Sequence, residues 1–406
     1  MQSEKEGTLF NENAGYVPDA SYFRNPSLTS YMPVRIFTET GCVKKHKDEF
    51  ARLGKKALIV VTGMYAAEKS GALNDVCGSL DALGIPWEIF DRINPNPALT
   101  DCMCAAETAV KAGCDFVVGI GGGSALDAAK CIAVLAANPG MSQTELYSLS
   151  WPVKPLPVAA VGTTAGTGSE VTKVSVITVP EGRKKSFHHE DVFPAAAFGD
   201  ASYTVSLPLD ITFSTAIDAL SHAVESYFSR NANSISRCYS VQAVKMLFPM
   251  LKILIRHRAS GSAPENIPFE VRQTLYLASL YGGLAINITG TCLPHTMGYL
   301  ITEKHGLPHG FACTIFLPEF LKINEAVVPQ LSEGFYRETG MGKEELLSVI
   351  DAMLEGIHVT VGEEEIKKEH GRWIDNSSIK KGWGSITADQ CDDILRSLGS
   401  SAPGIS

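Results

Sequence analysis

Four residues in the second half of the 406-residue chain have side chains that can bind a metal ion. Asp218 and His222 are four positions apart in an otherwise apolar segment, so a helix would carry both on one face, one turn apart. His295 and His309 follow downstream, near glycine and proline. One carboxylate and three imidazoles form a borderline ligand set that suits Fe²⁺ or Zn²⁺ and fits Ca²⁺ or Mg²⁺ poorly. The set predicts one Lewis-acidic ion, and ligand type does not separate iron from zinc.

Each histidine also has an ordinary structural interpretation, because a lone histidine is more often a core or surface residue than a ligand. The pair of Asp218 and His222 alone is equally compatible with a hydrogen-bonded pair in a core. His309 differs, because the proline before it and the glycine after it keep it out of a helix interior. His305 is an alternative ligand four residues before His309, although a glycine and a proline interrupt a shared helix.

A glycine-rich turn in the first half is a candidate phosphate site. Gly121, Gly122 and Gly123 follow an apolar run, and a helical segment starting with Ser124 comes next. Glycines let the backbone approach a phosphate closely, and a helix N-terminus offers free N–H groups and the positive end of its dipole. That dipole also favours the charge of Asp127 in the first turn. The turn predicts a pyrophosphate contact, with a ligand-free strand-to-helix turn as the alternative. It does not match the Rossmann fingerprint, because it does not follow the first strand.

A second polar loop, at residues 162–170, also follows an apolar run and contains Thr163, Thr164 and Thr167. Its alternative interpretation is a helix start with a threonine or serine cap. Two such loops at strand ends of one sheet predict a shared nucleotide cleft.

Short apolar runs alternate with helical segments up to about residue 205, which predicts a parallel sheet covered on both faces. Beyond that point helical periodicity dominates. The runs are at 57–62, 87–90, 116–120 and 157–161, with 175–179 and 195–199 extending the β region; helical stretches are at 75–83, 101–112, 212–227, 236–257, 269–285, 343–355 and 387–398, the last after a loop at 382–384.

Composition excludes several classes of protein. A net charge of −9 argues against a nucleic-acid surface, which needs clustered Lys and Arg. The ten cysteines include no CxxC pair and are predicted to be mostly buried free thiols. The N-terminus is polar, without the apolar region of a signal peptide, and no uncharged apolar stretch reaches the roughly 20 residues of a membrane helix. We therefore predict a cytoplasmic protein without a nucleic-acid or membrane partner.

Four motifs together resemble those of the iron-containing (group III) alcohol dehydrogenases, of the butanol and 1,3-propanediol dehydrogenase type. They are GGGSALDAAK at 121–130, TTAGTGSEVT at 163–172, DALSHAVESY at 218–227 and HTMGYLITEKHGLPHG at 295–310. The resemblance covers nearly the whole length, and four motifs in this order are specific. It implies a fold similar to dehydroquinate synthase: an α/β N-terminal nucleotide-binding domain at 1–205 plus an all-α C-terminal metal-binding domain at 206–406.

The resemblance also implies roles for individual residues. The implied metal ligands are Asp218, His222, His295 and His309, and the implied cofactor contacts are Gly121, Gly122, Gly123, Ser124, Asp127, Thr163, Thr164, Thr167 and Lys185. Gly63, at the end of the first predicted strand, is a further predicted cofactor contact.

Two positions depart from the pattern of many members. Tyr299 stands where many have a histidine of the proton relay, so Tyr299 is the candidate relay residue. The first predicted strand ends at Gly63, where many have an aspartate that would repel a 2′-phosphate. Lys69 and Ser70 are candidate phosphate contacts, and Glu68 counts against this. We therefore expect NADP(H) rather than NAD(H).

The resemblance implies reversible hydride transfer between NAD(P)H and a small primary alcohol or aldehyde, with the ion acting as a Lewis acid on the substrate oxygen. Lys184 and Lys185, with two nearby histidines, leave an anionic aldehyde open, although a solvated basic loop is favoured. The alternatives are a glycerol-dehydrogenase-like or maleylacetate-reductase-like enzyme, a dehydroquinate-synthase-like lyase with no net NAD(P)H consumption, and a non-catalytic binding protein. The family also suggests a homodimer or larger homo-oligomer, through the segment 31–37.

Overall fold

The computed structural model describes residues 30–398, and within this range all the strands lie in the first half of the chain. The polar N-terminus, on which the prediction of no signal peptide depends, lies outside the described residues. The strands are β1 (Arg35–Phe37), β2 (Ala57–Val61), β3 (Trp87–Phe90), β4 (Phe116–Gly121), β5 (Val158–Gly162), β6 (Val174–Thr178), β7 (Lys184–His188) and β8 (Ala196–Phe198).

Six of these strands form one parallel sheet in the order β1-β8-β5-β4-β2-β3. All residues of β2, β4 and β5 are buried, as expected for strands covered on both faces. The chain passes from β2 to β3 on one side and then to β4 on the other, so the strand order reverses between β2 and β4. In open parallel sheets, ligands bind outside the carboxyl ends of the strands at such a reversal.

The remaining two strands, β6 and β7, form a separate antiparallel hairpin. The predicted run at 175–179 is therefore a strand, but it does not join the main sheet. Side chains alternate along a strand, so Lys184, Ser186 and His188 share one face of β7 while Lys185 and Phe187 share the other.

Helices cover the sheet in the first half and form nearly all of the second half. The first-half helices are α1 (Cys42–Lys45), α2 (Asp48–Leu53), α3 (Met64–Ser70), α4 (Ala72–Ala82), α5 (Leu99–Ala112), α6 (Gly123–Ala137) and α7 (Gln143–Tyr147). The second-half helices are α8 (Leu209–Phe228), α9 (Ser234–Ala259), α10 (Phe269–Thr289), α11 (Leu293–His305), α12 (His309–Thr314), α13 (Leu317–Val327), α14 (Pro329–Thr339), α15 (Lys343–Met353), α16 (Glu363–Glu369) and α17 (Ala388–Leu398). This architecture confirms the predicted fold class, and the boundary near residue 205 stays a prediction.

The core of the helical half is built around α8, which packs along α9 and α10 and has most of its side chains buried. Among the described helices, α9 is the one whose length and composition would allow it to cross a membrane. Its Val244, Leu247, Leu251 and Leu254 belong to the hydrophobic core around α8.

Two glycines of the loop after β5 join the sheet half to this helical core. A Cβ added at Gly166 would lie 2.6 Å from the backbone oxygen of Thr215 on α8. One added at Gly168 would lie 2.6 Å from Cα of Gly283 on α10. Only a residue without a Cβ permits these backbone contacts, so we name Gly166, Gly168 and their two partners the glycine junction.

All ten cysteines lie in the described range, and each is a free thiol. This agrees with the prediction of free thiols and not of disulfides. Seven are buried, as predicted; Cys77 is partly buried, and Cys104 and Cys238 are exposed.

Candidate metal and nucleotide site

One cavity is lined by residues from both halves of the chain. The loops after β4 and β5 contribute Ser124 and Thr167, and the helical half contributes Asp218, His295 and His309. The predicted site residues on the cavity wall are Gly123, Ser124, Asp127, Thr167, Asp218, His222, His295, Tyr299 and His309. Gly63, Gly121, Gly122, Thr163, Thr164 and Lys185 do not line it.

The loops after β4 and β5 are in direct contact. The backbone N–H of Thr163 donates to the carbonyl oxygen of Gly121 over 2.9 Å. A Cβ added at Gly122 would lie 3.0 Å from the Thr164 side chain. These four residues therefore position the turn that precedes α6, although they do not line the cavity themselves.

The helix after the glycine turn begins at the last glycine of that turn. A Cβ added to Gly123 would meet the Thr167 side chain at 2.8 Å. No side chain caps the N-terminus of α6, so its first amide groups remain available to an anion. Ser124 Oγ accepts a hydrogen bond from the Asn96 N–H over 3.2 Å, which leaves the hydroxyl proton for a ligand.

Asp127 lies on the cavity wall, but protein donors occupy its carboxylate. Its Oδ1 accepts from Ser169 Oγ over 2.5 Å, and its Oδ2 accepts from Val176 N over 3.0 Å. Lys130, fully buried one turn later, donates from Nζ to the carbonyls of Ser169 and Val174 over 2.7 Å each. Asp127 and Lys130 thus tie α6 to the loop after β5 and to the hairpin, which is a positioning role.

Three helices carry the four predicted metal ligands. Ligand atoms of Asp218, His295 and His309, together with Cys313 Sγ, lie within 4.8 Å of one another, and this group does not include His222. Asp218 and His222 lie one turn apart on α8, His295 lies in the first turn of α11, and His309 is the first residue of α12. His295 Nε2 is 3.4 Å from Asp218 Oδ1, and His222 Nε2 is 4.0 Å from the same oxygen. The His295 ring centroid lies 4.5 Å from that of His222 and 5.3 Å from that of His309.

The facing atoms of this cluster fit a divalent ion. Asp218 Oδ1 and His295 Nε2 are buried, and neither has a hydrogen-bond partner among residues 30–398. Two atoms bound to one tetrahedral ion at about 2.1 Å lie about 3.4 Å apart, which matches the spacing of these two. An unpaired buried carboxylate oxygen is energetically costly, and a bound cation removes that cost.

The protonation states of Asp218, His222 and His309 suit metal binding, whereas attraction by Cys313 and Glu225 outweighs burial and raises the pKa of His295. Burial raises the pKa of Asp218, but attraction by His222, His295 and His309 outweighs it and holds that pKa well below its usual range. Burial lowers the pKa of His222 and, together with the charge of Lys184, lowers the pKa of His309. At neutral pH the site therefore offers a carboxylate and at least two neutral imidazoles, the forms that bind metals.

A second buried carboxylate, Glu225, orients one ligand. His295 Nδ1 lies 2.5 Å from Glu225 Oε1, which also accepts from Ser221 Oγ over 2.6 Å. Glu225 Oε2 accepts from Cys292 N over 2.7 Å. An imidazole that donates through Nδ1 keeps Nε2 free for the ion. The sequence signal for Glu225 was its position seven residues after Asp218, on the same face of α8.

Gly310 sets the distance between the third histidine and the carboxylate. A Cβ added there would lie 1.7 Å from the backbone oxygen of Ser214 and 3.0 Å from Cβ of Asp218. The start of α12 therefore packs against the backbone of α8, and only glycine permits this approach.

We expect Gly310→Ala to weaken metal binding without removing a ligand, because α12 must move away from α8 and carry His309 with it. Overpacking of this kind destabilises a fold by about 1–3 kcal/mol. Metal content after dialysis and the unfolding temperature measure the two effects. Gly362→Ala is the matched control, since nothing lies within 4 Å of a Cβ at that position. Full metal content in Gly310→Ala would contradict the assigned spacing.

Two further side chains contact the ligand cluster. The Tyr299 ring stacks on His309 with centroids 5.5 Å apart, and burial raises the pKa of its hydroxyl well above the usual value. Tyr299 is therefore a hydrogen-bond donor, and its part in a proton relay stays a prediction. Cys313 Sγ lies 3.6 Å from His309 Nδ1, and sequence reasoning placed it only among the buried thiols. Its spacing of four residues from His309 was the available signal.

Of the two neighbouring lysines, Lys184 lines the cavity and the predicted contact, Lys185, does not. Lys185 Nζ lies 4.1 Å from the centroid of the Tyr147 ring, on the opposite face of β7. Lys184 Nζ lies 5.4 Å from the ring centroid of Tyr299, which stacks on the predicted metal ligand His309. Neighbouring residues lie on opposite faces of β7, because side chains alternate along a strand, so only one of the two lysines can face the cavity.

Gly63, another predicted cofactor residue outside the cavity wall, lies two residues after the end of β2. Its φ of 85° favours glycine, and nothing lies within 4 Å of an added Cβ. The adjacent Thr62 Oγ1 would lie 3.5 Å from a Cβ on Gly121, so the ends of β2 and β4 meet at the reversal of strand order.

A parallel sheet with a glycine turn at its reversal point, facing three histidines and a carboxylate, is an arrangement suited to binding a dinucleotide next to a metal ion. Residues 33–201 match the family model for iron-containing alcohol dehydrogenase, and residues 212–370 match the model for the C-terminal part of that family. The chain belongs to the iron-containing alcohol dehydrogenase family, whose activity is the NAD-dependent interconversion of alcohols and aldehydes.

Individual relatives agree with this assignment. The chain is 31% identical over 328 residues to a probable alcohol dehydrogenase, EutG, of Escherichia coli (strain K12), which covers 80% of this chain and 79% of that protein. An iron-containing alcohol dehydrogenase from Thermotoga maritima superposes with a TM-score of 0.82 at 35% identity, over 91% of this chain and 99% of that one. A sulfoacetaldehyde reductase from Bifidobacterium kashiwanohense, solved with NAD⁺, superposes with a TM-score of 0.80 at 29% identity, over 92% and 100%.

Proposed function

We propose that this enzyme interconverts short-chain primary alcohols and aldehydes in the cavity between the glycine turn and the four-ligand cluster. The observation that carries the proposal is the facing pair Asp218 Oδ1 and His295 Nε2, buried, unpaired and 3.4 Å apart on the wall that faces Ser124 and Thr167. An ion held there would adjoin any ligand that extends from the glycine turn.

The proposed metal ligands are Asp218, His222, His295 and His309. When bound, the ion acts as a Lewis acid on the substrate oxygen, and the nicotinamide cofactor carries the hydride. The amide groups at Gly123 and Ser124, which no side chain caps, would bind the cofactor pyrophosphate, the role predicted for residues 121–124. Thr163, Thr164 and Asp127 would hold this turn in place through contacts within the protein.

Two cavity residues would act on the substrate end of the cofactor. Lys184, in place of the predicted Lys185, brings a positive charge beside Tyr299 and would hydrogen-bond the cofactor or the substrate oxygen. Tyr299, protonated throughout the physiological range, would donate a hydrogen bond and form a wall against His309.

We predict that the iron-loaded enzyme oxidises both NADPH and NADH when short aldehydes are supplied, with kcat/KM values within about ten-fold of each other. Thr62 and Gly63, the two residues after β2, carry no carboxylate that would repel a 2′-phosphate. Loss of absorbance at the nicotinamide band measures the rates. Discrimination against NADPH by more than about a hundred-fold would contradict this prediction, and the NAD⁺ bound to the Bifidobacterium relative does not favour the NADP(H) preference expected from the sequence.

The same assay tests the proposed reaction. A lyase similar to dehydroquinate synthase would show no net consumption of NAD(P)H, and a binding protein would show no turnover. A cytoplasmic location and a homodimeric or larger assembly remain proposals that accompany this function.

A further inference from the structure

Lys381 places a second positive charge in the cavity, apart from Lys184. It is the last residue of a short 3-10 helix, Ile379–Lys381, and lines the cavity together with Thr291 and Gly290. Its ammonium nitrogen would lie 2.4 Å from a Cβ added at Gly290, so the side chain rests directly on that glycine. Gly290 is five residues before the metal ligand His295, which puts the Lys381 charge on the metal side of the cavity.

The charge of Lys381 has no acidic partner. No carboxylate among residues 30–398 lies within ion-pairing distance of its Nζ, and no hydrogen bond from Nζ is formed in that range. Burial lowers the pKa of Lys381, and attraction by Cys292 and by Glu225 offsets this only in part. Glu225 is already occupied by His295, Ser221 and Cys292. A half-buried ammonium without a counter-charge is unfavourable unless a ligand supplies one.

The negative end of one helix stabilises the charge of Lys381. Gly290 directly follows α10, and carbonyl groups at a helix C-terminus favour a nearby cation. This interaction is weaker than a charge-assisted hydrogen bond and leaves the donors of Lys381 free.

Other hydrogen-bond donors lie near Lys381 on the wall of the cavity. Thr291 and Ser378 line the cavity, and within the described part of the chain their hydroxyl groups have no hydrogen-bond partner. His188 lines it from the hairpin; burial and then the charge of Lys381 lower its pKa to about 4, so it is a neutral donor at pH 7. Asp127 and Asp218 are the two acidic residues on this cavity wall; protein donors occupy the Asp127 carboxylate, and the Asp218 carboxylate faces His222 and His295.

We propose that Lys381, with the hydroxyls of Thr291 and Ser378, forms an oxyanion subsite, and that the substrate is a short aldehyde or alcohol carrying a sulfonate, phosphonate or carboxylate group. The inference rests on the proposed function. That function places the reactive oxygen of the substrate at the metal cluster, and the inference says which residues bind the opposite end of the same substrate. The anion would form charge-assisted hydrogen bonds with Lys381, while the carbonyl or hydroxyl group lies toward His295 and His309.

The test compares matched aldehydes with the iron-loaded enzyme: 2-oxoethanesulfonate against propanal, and 4-oxobutanoate against butanal. In at least one pair, kcat/KM for the anion should exceed that for the neutral aldehyde about ten-fold or more. Lys381→Met should lower this ratio by about ten- to a hundred-fold, the usual worth of a hydrogen bond to a charged group. Lys380→Met is the matched control, because the adjacent Lys380 is exposed, pairs with Asp375 and is not on the cavity wall.

A binding measurement separates this inference from the proposed reaction. Ethanesulfonate, which has no carbonyl group, should bind the wild-type holoenzyme in calorimetry and bind Lys381→Met at least about ten-fold more weakly. If no aldehyde is reduced but this difference is found, the proposed reaction fails and the subsite stands.

Three results would overturn the subsite: neutral aldehydes preferred in both pairs, an unchanged ratio in Lys381→Met, or a variant that changes only the KM for NADPH. If the unfolding temperature shows that Lys381→Met does not fold, the comparison of the aldehyde pairs with the wild-type enzyme still tests whether an anionic substrate is preferred.

Discussion

Replacing His309 with alanine should release the bound ion and lower kcat/KM by about 10³-fold or more. His309 is one of three imidazoles around Asp218, and burial keeps it neutral and therefore able to bind a metal. A Lewis acid contributes several kcal/mol of transition-state stabilisation, which corresponds to roughly this loss of rate. Metal analysis of the purified variant and single-turnover kinetics measure both effects.

His305→Ala is the matched control for this prediction. His305 is four residues earlier and was the alternative ligand, but it is exposed and its Nε2 lies 3.2 Å from Glu365 Oε1, outside the cavity. We expect this variant to retain both iron and activity. Full activity of His309→Ala without bound metal, or loss of the ion in His305→Ala, would refute the ligand assignment.

Glu225→Gln should lower metal affinity by about 10- to 100-fold, although Glu225 is not a ligand. A glutamine has one acceptor oxygen and one NH₂ group, whereas Glu225 accepts on both oxygens from His295, Ser221 and Cys292. In the variant at least one of these donors would face the amide NH₂, so the His295 ring would lose its fixed orientation or its tautomer. Competition with a chelator measures the affinity, and the residual activity should be recovered at high iron concentration.

Glu365→Gln is the control, because it alters another histidine–glutamate pair at the surface and should leave metal affinity unchanged. A Glu225→Gln variant that binds the ion as tightly as wild type would show that His295 is oriented by its backbone and packing alone. A variant that lost stability but not metal affinity would assign Glu225 to the core instead.

The elements that carry the site were predictable where a local pattern determines the structure. β2, β4 and β5 are continuous apolar runs because both of their faces are buried, and a parallel sheet follows from that. Asp218 and His222 fall on one face of α8 because helical periodicity places residues four apart together. The motif resemblance then joined His295 and His309 to this pair, which periodicity alone does not achieve.

The sequence was less informative where a contact depends on which face of a strand a side chain occupies, or on packing between residues that are far apart in the sequence. Lys184 and Lys185 are adjacent in the sequence, and only the pairing of β7 in its hairpin decides which of them faces the cavity. Glu225 reads as an ordinary helical glutamate until α11 brings His295 to it. Lys381 is in a turn without a pattern of its own, and its neighbour Gly290 is 91 residues away in the sequence. No local rule identifies such a pair.

The glycine junction constrains how the enzyme can open. Gly166 and Gly168 bring the backbone of the loop after β5 against Thr215 and Gly283, at distances that leave no space for a side chain. Contacts this close resist separation, because pulling them apart would open a void in a densely packed region. Domain opening would therefore be a rotation with its pivot at this loop, and the arc travelled grows with distance from the pivot. β3, at the far edge of the sheet, would move furthest, whereas the metal ligands close to α8 would remain almost still.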